Sequence, residues 1–165
     1  MKKIETFVDG EDVNVIVETP AGSRTKYAWK PDREIFEARQ VLPLGLSFPF
    51  DFGFIAKTKA GDGDPLDACI LADAPLAVGT LVACRVIGAF SVKTDDERND
   101  RVVVVPQIAL RGAEWTDLTE IGGTWCTEIG DFLRSYVERE GRRYELVDVV
   151  GRQGALALVR DARSV

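Results

Sequence analysis

Runs of β-branched and aromatic residues recur along the chain, and Gly, Pro or Asp clusters separate most of them. Strands are predicted at VNVIVET from Val13, TKYAWK from Thr25, LDACIL from Leu66, LVACRVIGAF from Leu81, RVVVVPQI from Arg101 and YELVDVV from Tyr144. FEARQVL from Phe36 is a weaker strand. The period changes once. Trp125, Ile129, Phe132, Leu133 and Tyr136 follow helical spacing and predict a long helix from about Thr124 to Glu138, with Gly141 placed to end it. A short helix over Ala155 to Ala162 follows. Many short strands, then helices, predict an α+β fold: a small closed β-barrel with helices packed outside.

Composition narrows the chemistry. A chain of 165 residues reads as one domain over 1–165, large enough for a single core. Apolar residues at 45% and charged residues at 29% suit a soluble globular protein. A net charge of −6 argues against nucleic-acid or anionic-membrane partners. No window reaches 18 uninterrupted apolar residues, so no membrane-spanning helix is expected. The opening MKKIETFVDG lacks the apolar stretch of a secretory leader, and the cytoplasm is the expected compartment. Cys69, Cys84 and Cys126 have no metal-site spacing and read as reduced thiols. Histidine is absent, which removes Ser-His-Asp and Cys-His catalysis and His-built zinc sites.

The acidic positions remain. AGDGDPLDACIL, from Ala60, crowds Asp62, Asp64 and Asp67 just where a strand begins. Carboxylates so close raise one another's pKa unless water or a cation separates them. A second group, TDDERND from Thr94, places Asp95, Asp96, Glu97 and Asp100 between two strands, where a solvated hairpin loop is the simplest reading. All-oxygen clusters select hard cations. An EF-hand read from Asp62 fails, because its glycine position falls on Asp67 and its twelfth position on Asp73. Magnesium is the better match, since it uses a few carboxylates together with waters and substrate phosphates. Divalent ions in two clusters could lower the pKa of a shared water for attack on phosphorus. Lys26, Arg39 and Arg101 are candidate phosphate-binding cations, although each is simply read as a surface charge, and Tyr136 as a core tyrosine.

Together these segments resemble the soluble family I inorganic pyrophosphatases. GDGDPLDACIL is similar to the family's Asp-x-Asp-Pro-x-Asp motif. VIVETPAGSRTKYAW, SFPFDFGFIAKTKAGDGDPLD, VGTLVACRVIGAF with DRVVVVP, and IGDFLRSYVEREGR resemble further family segments in the same order, from about Val13 to Gly151. The resemblance implies an OB-like barrel of about five main strands. It also implies hydrolysis of inorganic diphosphate with magnesium, or manganese, in a homo-oligomer that is often a hexamer in bacteria. Carried over, Asp62, Asp64, Asp67, Asp95 and Asp100 would be metal ligands, with Asp64 also the general base toward the attacking water. Glu18 would act from behind the ligands, and Lys26, Arg39, Arg101 and Tyr136 would bind phosphate groups, Tyr136 also assisting catalysis.

The chain departs from the family pattern at several positions. Ala28 stands for a glutamate, Phe48 and Phe52 for tyrosines, Arg101 for a lysine and Val137 for a lysine. Either Asn99 or Asp100 matches the last ligand position. These losses suggest a divergent enzyme. The alternatives are a hydrolase of another phosphoanhydride, with Phe48 and Phe52 stacking a base, or a non-catalytic OB-like binding module. A metal loop with a purely structural role is a further alternative.

Overall fold

The computed structural model describes residues 4–164. Positions 1–3 and 165, which the single-domain reading includes, lie outside the described residues. The elements run β1 (Asp12–Thr19), β2 (Thr25–Lys30), β3 (Ile35–Val41), β4 (Asp51–Ile55), β5 (Asp67–Ile70), β6 (Leu81–Thr94), β7 (Glu97–Arg98) and β8 (Arg101–Pro106). A 3-10 turn (Leu118–Ile121), α1 (Gly123–Arg139), β9 (Tyr144–Gly151) and α2 (Arg152–Ala162) complete the order.

Five strands close on themselves in the order β1-β4-β5-β8-β6, with β6 returning to β1. Only the β5–β8 pairing in this ring is parallel. The barrel expected from the sequence is therefore present. Strand β6 is longer than its apolar run suggests, because Ser91–Thr94 continue it to pair with β9 and β7. β2 and β3 form a separate antiparallel ribbon.

The valine run of β8 shows why the barrel strands lack polar alternation. Val102 and Val104 enter one core cluster with Val13, Val15, Val17, Ala68, Ile70 and the α2 residues Ala155, Leu156 and Val159. Val103 and Val105 point the opposite way, into a second cluster with Phe48, Phe50, Phe52 and the α1 residues Phe132, Leu133 and Tyr136. Successive strand side chains alternate between faces, so a strand covered on both faces reads as a continuous apolar run.

The strand β4 was not predicted. All five of its residues are buried, so it shows no alternation, and Gly53 at its centre weakens the strand pattern. That glycine is required: a Cβ there would overlap the Ile16 carbonyl oxygen of β1. Two helix expectations also change. Trp125 is 41% exposed and meets Trp115 edge-to-face, while Val137 takes the buried place on the α1 stripe. Helix α2 begins at Arg152, earlier than expected, because the Asp117 carboxylate accepts the Arg152 N–H at 2.8 Å. That cap comes from a distant loop, which local sequence cannot reveal.

Candidate active site

The aspartate motif is a tight turn leading into β5. Gly63 has φ +92°, a conformation that glycine adopts without strain. The Gly63 N–H donates to the Ala60 carbonyl at 3.0 Å, the Ala60 N–H to the Asp64 carbonyl at 2.7 Å, and the Asp64 N–H to Asp62 Oδ1 at 3.1 Å. Asp62 and Asp64 are exposed on this turn, and Asp67, the first residue of β5, faces inward. Thr58 anchors the strand start by accepting the Leu66 N–H at 2.9 Å.

Asp67 is the electrostatic centre. Its Oδ2 lies 2.7 Å from Arg101 Nη1, whose side chain is 9% exposed. Burial pushes the Asp67 carboxyl up, Arg101 and Lys26 pull it back, and Asp62 and Asp64 add to the upward push. The pairing follows from topology, because Asp67 and Arg101 are register partners in the parallel β5–β8 pair. Arg101 Nη1 also donates to the backbone carbonyls of Asn99 and Asp100, at 3.0 and 3.2 Å, and to Asn99 Oδ1. The guanidinium carbon sits 5.7 Å above the Phe52 ring.

Glu18, near the end of β1, accepts the Trp29 N–H of β2 at 2.7 Å. Burial pushes its carboxyl up to about 7 despite that hydrogen bond; Asp67 and Asp64 add to the shift and Lys26 opposes it. Lys26 projects from β2 with Nζ 4.9 Å from the Tyr136 ring centre and 4.0 Å from Glu140. Tyr136 is buried, and its hydroxyl has no hydrogen-bond partner among the described residues. Burial first, then the charge of Glu140, push the phenol up, so it stays protonated and able to donate.

Phe48, Phe52, Phe132 and Tyr136 pack together beneath these cations, with Phe48 centred 5.7 Å from Tyr136 and 5.3 Å from Phe132. Phe48 is 1% exposed and Phe52 7%, so both are core residues with no open face for a base to stack on.

Three expected residues are engaged by other partners. Asp95 and Asp96 form the tip of the β6–β7 hairpin, both with positive φ, the geometry that the native twist favours in a two-residue turn. The Asp95 carboxylate accepts from Arg142 Nε at 3.0 Å and from the Arg143 N–H at 2.8 Å, and these contacts hold it below the usual carboxylate range. Asp100 is buried, but it accepts from Ser91 Oγ at 2.9 Å and Arg98 Nε at 2.6 Å. Asn99 and Asp100 lie between β7 and β8, where the Asn99 side-chain oxygen meets Arg101, the partner of Asp67, and the Asp100 carboxylate is taken by Ser91 and Arg98. Asn99 is therefore the one of the two whose side chain meets the Arg101–Asp67 pair. Arg39, on β3, is half-exposed and pairs with Glu37 at 3.2 Å.

The expected five-aspartate cluster is thus not assembled. Among the described residues no three acidic or thiol side chains are gathered to hold a metal ion. The donor chemistry at Asp62, Asp64 and Asp67 nevertheless fits a hard divalent cation: oxygen donors only, one of them half-buried, with like charges adding to the desolvation that raises it. Sequence reasoning missed two residues, Asn99 as a partner of Arg101 and Glu140 as a partner of Lys26. Glu140 lies one helical turn beyond Tyr136, a spacing that could have pointed to it.

Comparison with known proteins agrees with this geometry. The inorganic pyrophosphatase family model matches residues 15–164. An inorganic pyrophosphatase of Synechocystis is 32% identical over 149 residues, covering 90% of this chain and 88% of its own. The crystal structure of inorganic pyrophosphatase from Thermus thermophilus superposes with a TM-score of 0.86 at 30% identity, covering 93% of this chain and 90% of that one. A pyrophosphatase from Neisseria gonorrhoeae gives 0.90 at 26% identity, covering 98% and 95%. With the closed barrel, the aspartate turn and the cations above α1 all in place, the chain belongs to the inorganic pyrophosphatase family.

Proposed function

We propose that the protein hydrolyses inorganic diphosphate to two orthophosphates with magnesium, and with manganese as a substitute. The observation that carries this reading is the meeting of opposite charges at Asp67, where Arg101 at 2.7 Å and Lys26 stand beside the aspartate turn. Such a site offers carboxylates for hard cations on one side and fixed cations for phosphate oxygens on the other.

Asp62, Asp64 and Asp67 would hold the divalent ion, which neutralises substrate charge and makes a water more acidic. Asp95 and Asp100 would join only on leaving Arg142 and Arg98. Asp64, exposed on the turn, takes the proton as the water oxygen bonds to one phosphorus. The bridging P–O bond breaks, and its electron pair leaves on the second phosphate. Lys26 and Arg101 compensate that charge. Tyr136 supplies a protonated hydroxyl that has no hydrogen-bond partner among the described residues. Glu18, half-buried at the end of β1, fixes β2 through Trp29 and so positions Lys26. Arg39 would reach a phosphate from the β2–β3 ribbon by releasing Glu37.

Phe48 and Phe52 are core residues, which leaves the nucleotide-stacking alternative without a surface. A net charge of −6 likewise disfavours a nucleic-acid strand as the partner. A cytoplasmic homo-oligomer is the form we infer. Among the described residues no helix is long and apolar enough to cross a membrane.

Phosphate release from diphosphate tests the reading, measured with magnesium and with chelator. We expect release that requires the ion and falls at least about a hundredfold in Asp64→Asn, with the circular dichroism spectrum unchanged. Near-normal release from that variant removes Asp64 as the base, and no release with any divalent ion removes the activity.

A further inference from the structure

We propose that Arg101 is a resident cation at Asp67, so that a divalent ion reaches this carboxylate by exchanging with the guanidinium and thereby frees Arg101 for the substrate. The inference rests on reading Asp62, Asp64 and Asp67 as the metal-holding carboxylates.

Three observations carry it. First, the contact is direct, with Arg101 Nη1 2.7 Å from Asp67 Oδ2 and the arginine side chain 9% exposed. Second, the same nitrogen is pinned from behind by Asn99, through its backbone carbonyl at 3.0 Å and its side-chain oxygen. An aspartate at position 99 would add charge to this end of the site, whereas the amide adds none and only orients the arginine. Third, the carboxylate is not the only thing that holds the guanidinium: it also lies 5.7 Å from the Phe52 ring centre, on the aromatic floor that carries Lys26 over Tyr136, a contact that does not depend on Asp67.

The physical consequence is competition. A half-buried carboxylate against a buried arginine favours a close counter-charge, and one oxygen cannot be fully shared between a guanidinium and a small divalent ion that demands tight geometry. Without metal, Arg101 supplies the charge. When a divalent ion binds, the two cations repel at this distance and the arginine must swing off. Metal arrival and release of a phosphate-binding side chain are then one event. A lysine in this place would compete less, because it is a flexible point charge that lacks the fork Asn99 holds.

The test uses the whole protein and Mn²⁺ alone, without substrate. Mn²⁺ affinity is measured by calorimetric titration for wild type, Arg101→Gln, Arg101→Lys, Asn99→Ala and Asp67→Asn. Arg101→Gln is expected to bind Mn²⁺ at least about tenfold more tightly, the scale on which an adjacent arginine alters a carboxylate's affinity for a proton. Arg101→Lys and Asn99→Ala should show smaller gains. In parallel, the guanidinium NMR signals of wild type are followed in chelator and then through a Mg²⁺ titration, with Arg101 assigned by its loss in Arg101→Lys. The Arg101 signal should show hindered rotation in chelator and should become averaged, like that of exposed Arg111, as Mg²⁺ saturates. This readout stands even if Arg101→Gln fails to fold.

An Arg101 signal that stays hindered at saturating Mg²⁺ overturns the exchange. So does unchanged affinity in a folded Arg101→Gln while Asp67→Asn binds weakly. If Asp67→Asn binds as tightly as wild type, the aspartate turn is not the metal site, and the underlying reading falls with the exchange.

Discussion

Glu18→Gln should stabilise the metal-free protein, and by more as pH rises. The side chain accepts the Trp29 N–H at 2.7 Å, an interaction the glutamine oxygen can keep, so the exchange removes charge without removing that hydrogen bond. In the fold, burial places the Glu18 carboxyl at about 7, against 4.5 for the free side chain. A carboxyl raised by folding binds more protons in the native state than in the unfolded chain. Its destabilising effect is therefore absent below about 4.5, grows between 4.5 and 7, and is complete above. Integrated over that window, wild type should be less stable than the variant by about 1 kcal/mol near pH 5 and about 3 kcal/mol near pH 8.5. Urea unfolding in chelator, followed by tryptophan fluorescence at several pH values, measures the gap. A difference that is constant with pH, or that narrows as pH rises, refutes the reasoning. It would mean that Glu18 ionises freely and that the neighbouring Asp64 and Asp67 charges do not reach it.

Two further expectations concern the frame around the site. Gly53→Ala drives a methyl group into the Ile16 carbonyl across the β1–β4 pair, so urea unfolding should show a loss of about 3 kcal/mol or more, or no folded protein at all. Phe132→Ala removes the ring that packs at 5.3 Å on Phe48, 5.6 Å on Phe50 and 6.0 Å on Tyr136, and should cost about 3–5 kcal/mol in the same assay. A loss under about 1 kcal/mol there would mean that the aromatic floor repacks.

The parts that were legible in the sequence share one property: a local signal. The strands β1, β2, β6 and β8 announce themselves by β-branched runs, and α1 by its stripe from Ile129 to Tyr136. The aspartate turn was visible because three like charges so close together call for a reason. What was hidden depends on partners far along the chain. β4 is a strand only because β1 and β5 cover both its edges, and α2 starts where Asp117 caps it. In the site, charge and residue type suggested Asp100, yet the side chain that meets Arg101, the partner of Asp67, is that of Asn99. The acidic segment was rightly suspected of being a hairpin loop, since Asp95 and Asp96 do form a turn with arginine partners.

The long strand β6 pairs with β1 at one end, with β8 through the middle and with β9 and β7 at the other. Every one of these ladders waits for it, and two are remote in sequence: Asp12 must find Arg85, and Ala89 must find Val150. Pairings of this kind lose much chain entropy before any contact rewards them, which slows folding. During synthesis, β1 through β8 can associate before β9 emerges, which leaves the upper edge of β6 without its partner. Ser91 and Lys93 occupy that edge, and a lysine on an open edge discourages pairing with a second chain. The candidate site's cations sit on β2 and β8 and its aspartates on β5 and the turn before it, so this end of the barrel can take shape while the last strand is still arriving.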